Sequence, residues 1–280
     1  MDACSESRLA RWGRWTGRGS GVAAILWLVL PVMAGVGRPE QDGLLGAFVM
    51  LVCLAAAIRT ARRLPWQNVV AAFGVLWATE SVALMVAASL GWPGVSGRYI
   101  GGEVGFRFHD TPWLQAFLGA GLVLASREAG RWLLRSRAGG ANYGFQLLAV
   151  TMLLAAVGCF NGPCDAEAAS RGGSGVGAWL VARGASFFGT FLLAGVMSIA
   201  ATPWLISKRP IATPPDRAAL AGWLVIPVTF LLADCLQGRW IAVGTGGLHL
   251  ILIAALAWRT GCDSAGEADS RIAMPGSVAG

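Results

Sequence analysis

Charge is what this chain has least of. Only 13% of its 280 residues are Asp, Glu, Lys or Arg, against roughly 25% in a soluble domain. The hydrophobic share is 55% and the mean hydropathy is +0.60. Long apolar runs leave no room for a soluble domain, and the expected class is an all-α integral membrane protein. The six cysteines, Cys4, Cys53, Cys159, Cys164, Cys235 and Cys262, form no CxxC or Cys/His pattern, so no metal site of that kind is expected. No GxxxxGK[ST] motif is present, which excludes a phosphate loop of that type. No internal repeat is visible. The basic N-terminus runs into a long apolar stretch with no small-x-small cleavage site, and it reads as a span instead of a cleavable signal.

Eight apolar runs are expected to cross the bilayer, at about 19–37, 44–58, 69–90, 112–125, 143–160, 187–206, 220–236 and 240–258. A span needs about 20 residues, so the shorter runs borrow flanking turns or meet a thinner bilayer. With both termini in the cytoplasm, all but six of the 22 Lys and Arg fall on the cytoplasmic side. The six are Arg38, Arg98, Arg107, Arg171, Arg183 and Arg239. That bias is the positive-inside signature. It also accounts for the net charge of +7 without nucleic acid, which is not an expected partner. The expected location is the cell (inner) membrane, multi-pass. The expected division is a basic cytoplasmic segment at 1–18, lying on anionic lipid, a transmembrane domain at 19–258 and a disordered cytoplasmic tail at 259–280. The apolar piece 175–185 is too short to span and is expected to lie in the outer leaflet as a re-entrant or interfacial helix leading into the sixth span.

The stretch from Glu80 to Trp113 holds the densest set of polar, aromatic and conformationally special residues between two apolar runs. Glu80 falls near the middle of the third span. An ionised carboxylate there costs on the order of 2.5–3.5 kcal/mol, so Glu80 is expected to face the bundle interior, where desolvation favours the neutral acid. A neutral carboxylic acid in an apolar setting is a general acid poised to act; a structural hydrogen bond to a neighbouring helix is the plainer alternative. The glycine-rich loop from Gly91 to Thr111 is longer than most connections, which suits a lid. Asp234, near the outer end of the seventh span, and His249, in the middle of the eighth, are further ionisable candidates. Each has a plainer reading, as an interfacial carboxylate and a packing histidine. Cys159 and Cys164 bracket the start of an external loop, where a disulfide and two free thiols are both open.

Glu80, then Leu90-Gly91-Trp92-Pro93-Gly94, then Gly97 and Tyr99 resemble the E…G-x-P-x-G-x-Y signature of the carotenoid biosynthesis membrane proteins. That family includes the carotenoid hydratases and bisanhydrobacterioruberin hydratases. Asp165-Ala166-Glu167-Ala168, Gly177-Ala178-Trp179 and Phe187-Phe188-Gly189 are similar to its D-P-x-A, G-x-W and Y-Y-G-V-P series, in the same order. Ala166 stands where the family has Pro, and Phe187 and Phe188 replace a hydroxyl-bearing pair. The resemblance implies hydration of a terminal C=C bond in an acyclic carotenoid, without a cofactor. For that chemistry the chain offers an acid, Glu80, a second carboxylate, Asp165 or Asp234, and the candidate substrate-binding residues Trp92, Pro93, Tyr99, Trp179, Phe187, Phe188 and His249. The expected partners are the lipid bilayer and the hydrophobic carotenoid substrate; the oligomeric state is open. The alternative is a non-catalytic membrane subunit or a small-solute or lipid transporter.

Overall fold

The computed structural model describes residues 15, 38–90, 107–108, 111–135, 140–160, 176–206, 217–236, 240 and 243–255. Among them the chain is all-helical apart from one two-residue strand pairing. The helices are α1 (Arg38–Ala61), α2 (Trp66–Ser89), α3 (Trp113–Leu133), α4 (Tyr143–Phe160), α5 (Val176–Leu205), α6 (Arg217–Leu236) and α7 (Val243–Ala255). Between α2 and α3, β1 (Arg107–Phe108) pairs antiparallel with β2 (Thr111–Pro112).

The helix α2 starts where Pro65 ends the preceding turn: Asn68 and Val69 both donate their amides to the Pro65 carbonyl, at 3.0 and 3.3 Å. From there no proline interrupts it. Thr79 and Ser81 donate their hydroxyls to the carbonyls of Val75 and Trp77, each at 2.8 Å. These polar side chains are thus satisfied inside their own helix, as apolar surroundings require. Two stretches, Trp66–Val86 and Phe187–Leu205, are long and apolar enough to cross a membrane. Only 22% of the first is buried inside the bundle, and its outward residues, Val70, Val82 and Val86, are apolar.

The centre of the bundle is α3, which packs on α1, α2, α4 and α6. Its sequence explains this role. Ala116, Ala120, Ala125, Ser126 and Ala129 are buried with almost no accessible surface, and such small residues let helix backbones approach closely. At Gly121 the approach is closest: an added Cβ would collide with the Cys53 thiol of α1, which itself donates to the Phe117 carbonyl at 3.1 Å. Gly121→Val is therefore expected to cost about 1–3 kcal/mol by overpacking, read as a lower unfolding temperature in detergent. Gly74, with nothing within 4 Å of its would-be Cβ, is the matched control and should tolerate the same change.

Contacts fix the helix directions. Gly130 of α3 faces Leu147 and Val150 of α4, and Gly158 of α4 faces Leu122 of α3, so the pair is antiparallel. By contrast α1 runs parallel to α3, because Cys53 meets Gly121 and Arg63, just past α1, reaches Glu128. Trp223 of α6 donates its indole N–H to the Ser126 hydroxyl at 3.0 Å, in the interior. The arginines that follow α1 and those late in α3 consequently lie at one end of the bundle.

Two boundaries differ from the apolar runs. Residues 38–43, left between the runs 19–37 and 44–58, form the first turns of α1; Pro39 and the acidic Glu40 and Asp42 suit a helix N-terminus. The run expected to end at 125 continues to Leu133, because Arg127, Glu128 and Arg131 complete a helical face. The piece 175–185 does lead into the run 187–206: it is the beginning of α5, unbroken from Val176 to Leu205. At 1.5 Å per residue that helix is about 45 Å long, more than a hydrocarbon core of about 30 Å needs.

Candidate functional site

The carboxyl group of Glu80 lies in the seam between α2 and α3. It fits only because residue 119 has no side chain. A Cβ at Gly119 would stand 2.5 Å from the carboxyl carbon and 2.7 and 2.9 Å from its two oxygens. Glu80 is partly buried and falls within the apolar stretch Trp66–Val86.

Two aromatic residues share its face of α2. Phe73, Trp77 and Glu80 recur at helical spacing and so share one face of α2. Across the seam Phe117 meets both rings: its centroid is 5.5 Å from Phe73 at an interplanar angle of 54°, and 5.7 Å from Trp77 at 57°. Phe73, Trp77 and Phe117 thus pack where α2 meets α3, the same helix pair that holds the Glu80 carboxyl group. Chemically, the carboxyl group can deliver a proton and aromatic faces can stabilise a cation. Between these two helices in the chain, β2 packs against both of them.

The other candidates fall out as follows. Phe187 and Phe188 stand edge to face, with centroids 6.0 Å apart at 88°, on α5, which packs along α2. Phe187 packs against the core, whereas Phe188 is 66% exposed and points out of the bundle. The His249 Nδ1 lies 2.7 Å from the Thr245 carbonyl one turn back in α7, the contact of a histidine satisfied within its own helix. Trp179 is placed in α5 and Asp234 in the last turn of α6, but their side chains lie outside the description. Trp92, Pro93, Tyr99 and Asp165 lie outside the described residues, as does any pairing of Cys159 with Cys164.

Phe73, Trp77, Phe117 and Gly119 were not among the candidates. The first two were legible in principle, since their spacing from Glu80 places them on its face. Phe117 and Gly119 were not, because only the packing of α3 on α2 brings them there.

A second polar assembly lies at the arginine-rich end. Glu128 is 3% exposed and Arg63 is 8% exposed. Arg63 Nη1 is 3.5 Å from Glu128 Oε2. Arg127 and Arg131 each direct an Nη1 at Glu128 Oε1, at 4.0 and 3.9 Å. Arg127 also donates through Nη2 to the Leu205 carbonyl at 2.9 Å, closing the end of α5. Burial pulls the Arg63 guanidinium below its usual range, and the nearby Glu128 carboxylate opposes that shift.

No protein-family model, no curated protein and no solved structure matches this chain.

Proposed function

We propose that this chain is a multi-pass membrane enzyme, crossing the cell membrane about eight times with both termini in the cytoplasm, that hydrates a terminal C=C bond of an acyclic carotenoid. The observation that carries the reading is the Glu80 carboxyl group, seated against Gly119 between α2 and α3, two helices whose packing also joins the rings of Phe73, Trp77 and Phe117. The resemblance of Glu80 and the glycine-rich stretch after it to the carotenoid hydratases points the same way.

The chemistry closes without a cofactor. Glu80 in its acid form transfers its proton to the less substituted carbon of the terminal alkene, whose π electrons form the new C–H bond. The electron-poor tertiary carbon lies against the aromatic faces, which stabilise it by cation–π attraction. Water adds to that carbon, and the proton it loses returns to the Glu80 carboxylate. The product is a tertiary alcohol and the acid is regenerated. The membrane setting suits a substrate that stays dissolved in lipid.

Coexpression with a pathway that makes an acyclic carotenoid such as lycopene tests the reading. Mass spectrometry of the extracted pigment is expected to show a product heavier by one water. An unchanged pigment profile, with the protein present in the membrane, would count against hydration and favour a transporter or a non-catalytic subunit.

A further inference from the structure

Four helices close a ring: α2 packs on α3 and on α5, and α4 packs on the same two. On α2, Leu76, Glu80 and Leu84 recur at intervals of four and so form one stripe. Leu76 and Leu84 are 0% and 4% exposed. Glu80, between them, keeps surface that a water molecule can reach. The pattern recurs on α3. Gly119, against which the Glu80 carboxyl group sits, is partly accessible. So is Gln115, four residues earlier on the same face. Their neighbours Ala116, Leu118 and Ala120 are closed, at 0%, 5% and 0%. A residue that stays accessible between closed neighbours borders a gap in the packing. Here the gaps on two helices meet, because Glu80 touches Gly119.

The gap has a direction. Gln115 stands one turn, about 6 Å, nearer the start of α3, the end at which β2 packs on both α2 and α3. In the orientation proposed above that end is the outer one. The Gln115 amide can both donate and accept hydrogen bonds. A water in apolar surroundings needs two to four polar partners, and the Glu80 carboxyl group and the Gln115 amide supply two, one turn apart along this gap.

We propose that the water used in hydration reaches the seam from this end and is held by the Gln115 amide for attack on the tertiary carbon. The inference rests on the hydration reading and adds to it the route and the holder of the second substrate. Glu80 gives and takes back the proton. Gln115 accepts a hydrogen bond from the water, which leaves an oxygen lone pair free to form the C–O bond, and the proton that the water loses goes to the Glu80 carboxylate. Where no water is held, the cation reverts. The carboxylate then removes a proton from the carbon beside the cationic centre, and the C–H electron pair restores the double bond.

Deuterium oxide separates the two roles. Membranes holding the full chain and an acyclic carotenoid such as lycopene are incubated in it, and the tertiary alcohol and the recovered alkene are both analysed by mass spectrometry. Glu80 then delivers a deuteron, so reversal leaves deuterium in the alkene. Gln115→Leu removes the amide and keeps roughly the size of the side chain. It is expected to lower the alcohol about tenfold, as befits the loss of one hydrogen bond, while deuterium still enters the recovered alkene. That deuterium also shows that the variant is folded around a working acid. An undiminished yield of alcohol in Gln115→Leu would overturn the proposal. Loss of alcohol and deuterium together would overturn it too, since Gln115 would then serve the acid or the fold and not the water. A parent protein that forms neither alcohol nor deuterated alkene overturns the hydration reading itself.

Discussion

Glu80→Gln is expected to lower formation of the hydrated pigment by about 10²–10⁴-fold, the usual contribution of a positioned general acid. Glutamine has the shape of glutamic acid and fits the space left by Gly119, so the protein should keep its unfolding temperature. The measurement is product per unit of membrane protein by mass spectrometry. A companion variant keeps the acid and moves it. In Gly119→Ala the new methyl would come within 2.5–2.9 Å of the carboxyl atoms, so the Glu80 side chain must swing out of the seam. A displacement of that order is expected to cost about 10²-fold in rate. Full activity in Glu80→Gln would mean that the proton comes from elsewhere. Loss in Glu80→Gln together with full activity in Gly119→Ala would mean that the acid works from another rotamer.

Glu128→Ala is expected to produce the largest loss of stability. It removes the carboxylate around which Arg63, Arg127 and Arg131 gather and leaves guanidiniums enclosed without it. Breaking a buried ion pair from one side typically costs about 3–5 kcal/mol. Chemical unfolding of the detergent-solubilised protein reads the effect. Replacing both partners, in Arg63→Met with Glu128→Leu, should cost less than Glu128→Ala alone, because no charge is then stranded between the two positions. Added salt should narrow the difference little, since buried charges are weakly screened. If the single variant unfolds like the parent protein, the assembly is a solvated surface group and contributes nothing measurable.

Both outcomes depend on features of different legibility. The presence of helices at 69–90 and 143–160 could be read from uninterrupted apolar runs, and α2 and α4 occupy Trp66–Ser89 and Tyr143–Phe160. Glu80 also stood out, because a carboxyl group in such a run is costly and rare. The helix ends were harder. The polar residues 38–43 and those from Arg127 on are helical, and hydropathy registers polarity and not the backbone. The roles of His249 and Phe188 were open in the sequence for a related reason. A histidine satisfied by the carbonyl one turn back and a phenylalanine that faces outward look the same, in sequence, as a ligand and a pocket wall.

The sequence by itself determined the helical class, the apolar character and the clustering of arginines beside particular runs. These follow from local composition, because each helix satisfies its own backbone and needs no partner to do so. Only the tertiary structure decided what Glu80 touches and what Glu128 holds. Gly119 reaches the acid through the packing of α3 on α2, and Arg63 reaches Glu128 because α1 runs parallel to α3. Those contacts join residues tens of positions apart, and the shape fit that creates them, a missing side chain opposite a long one, has no periodicity to read along the chain.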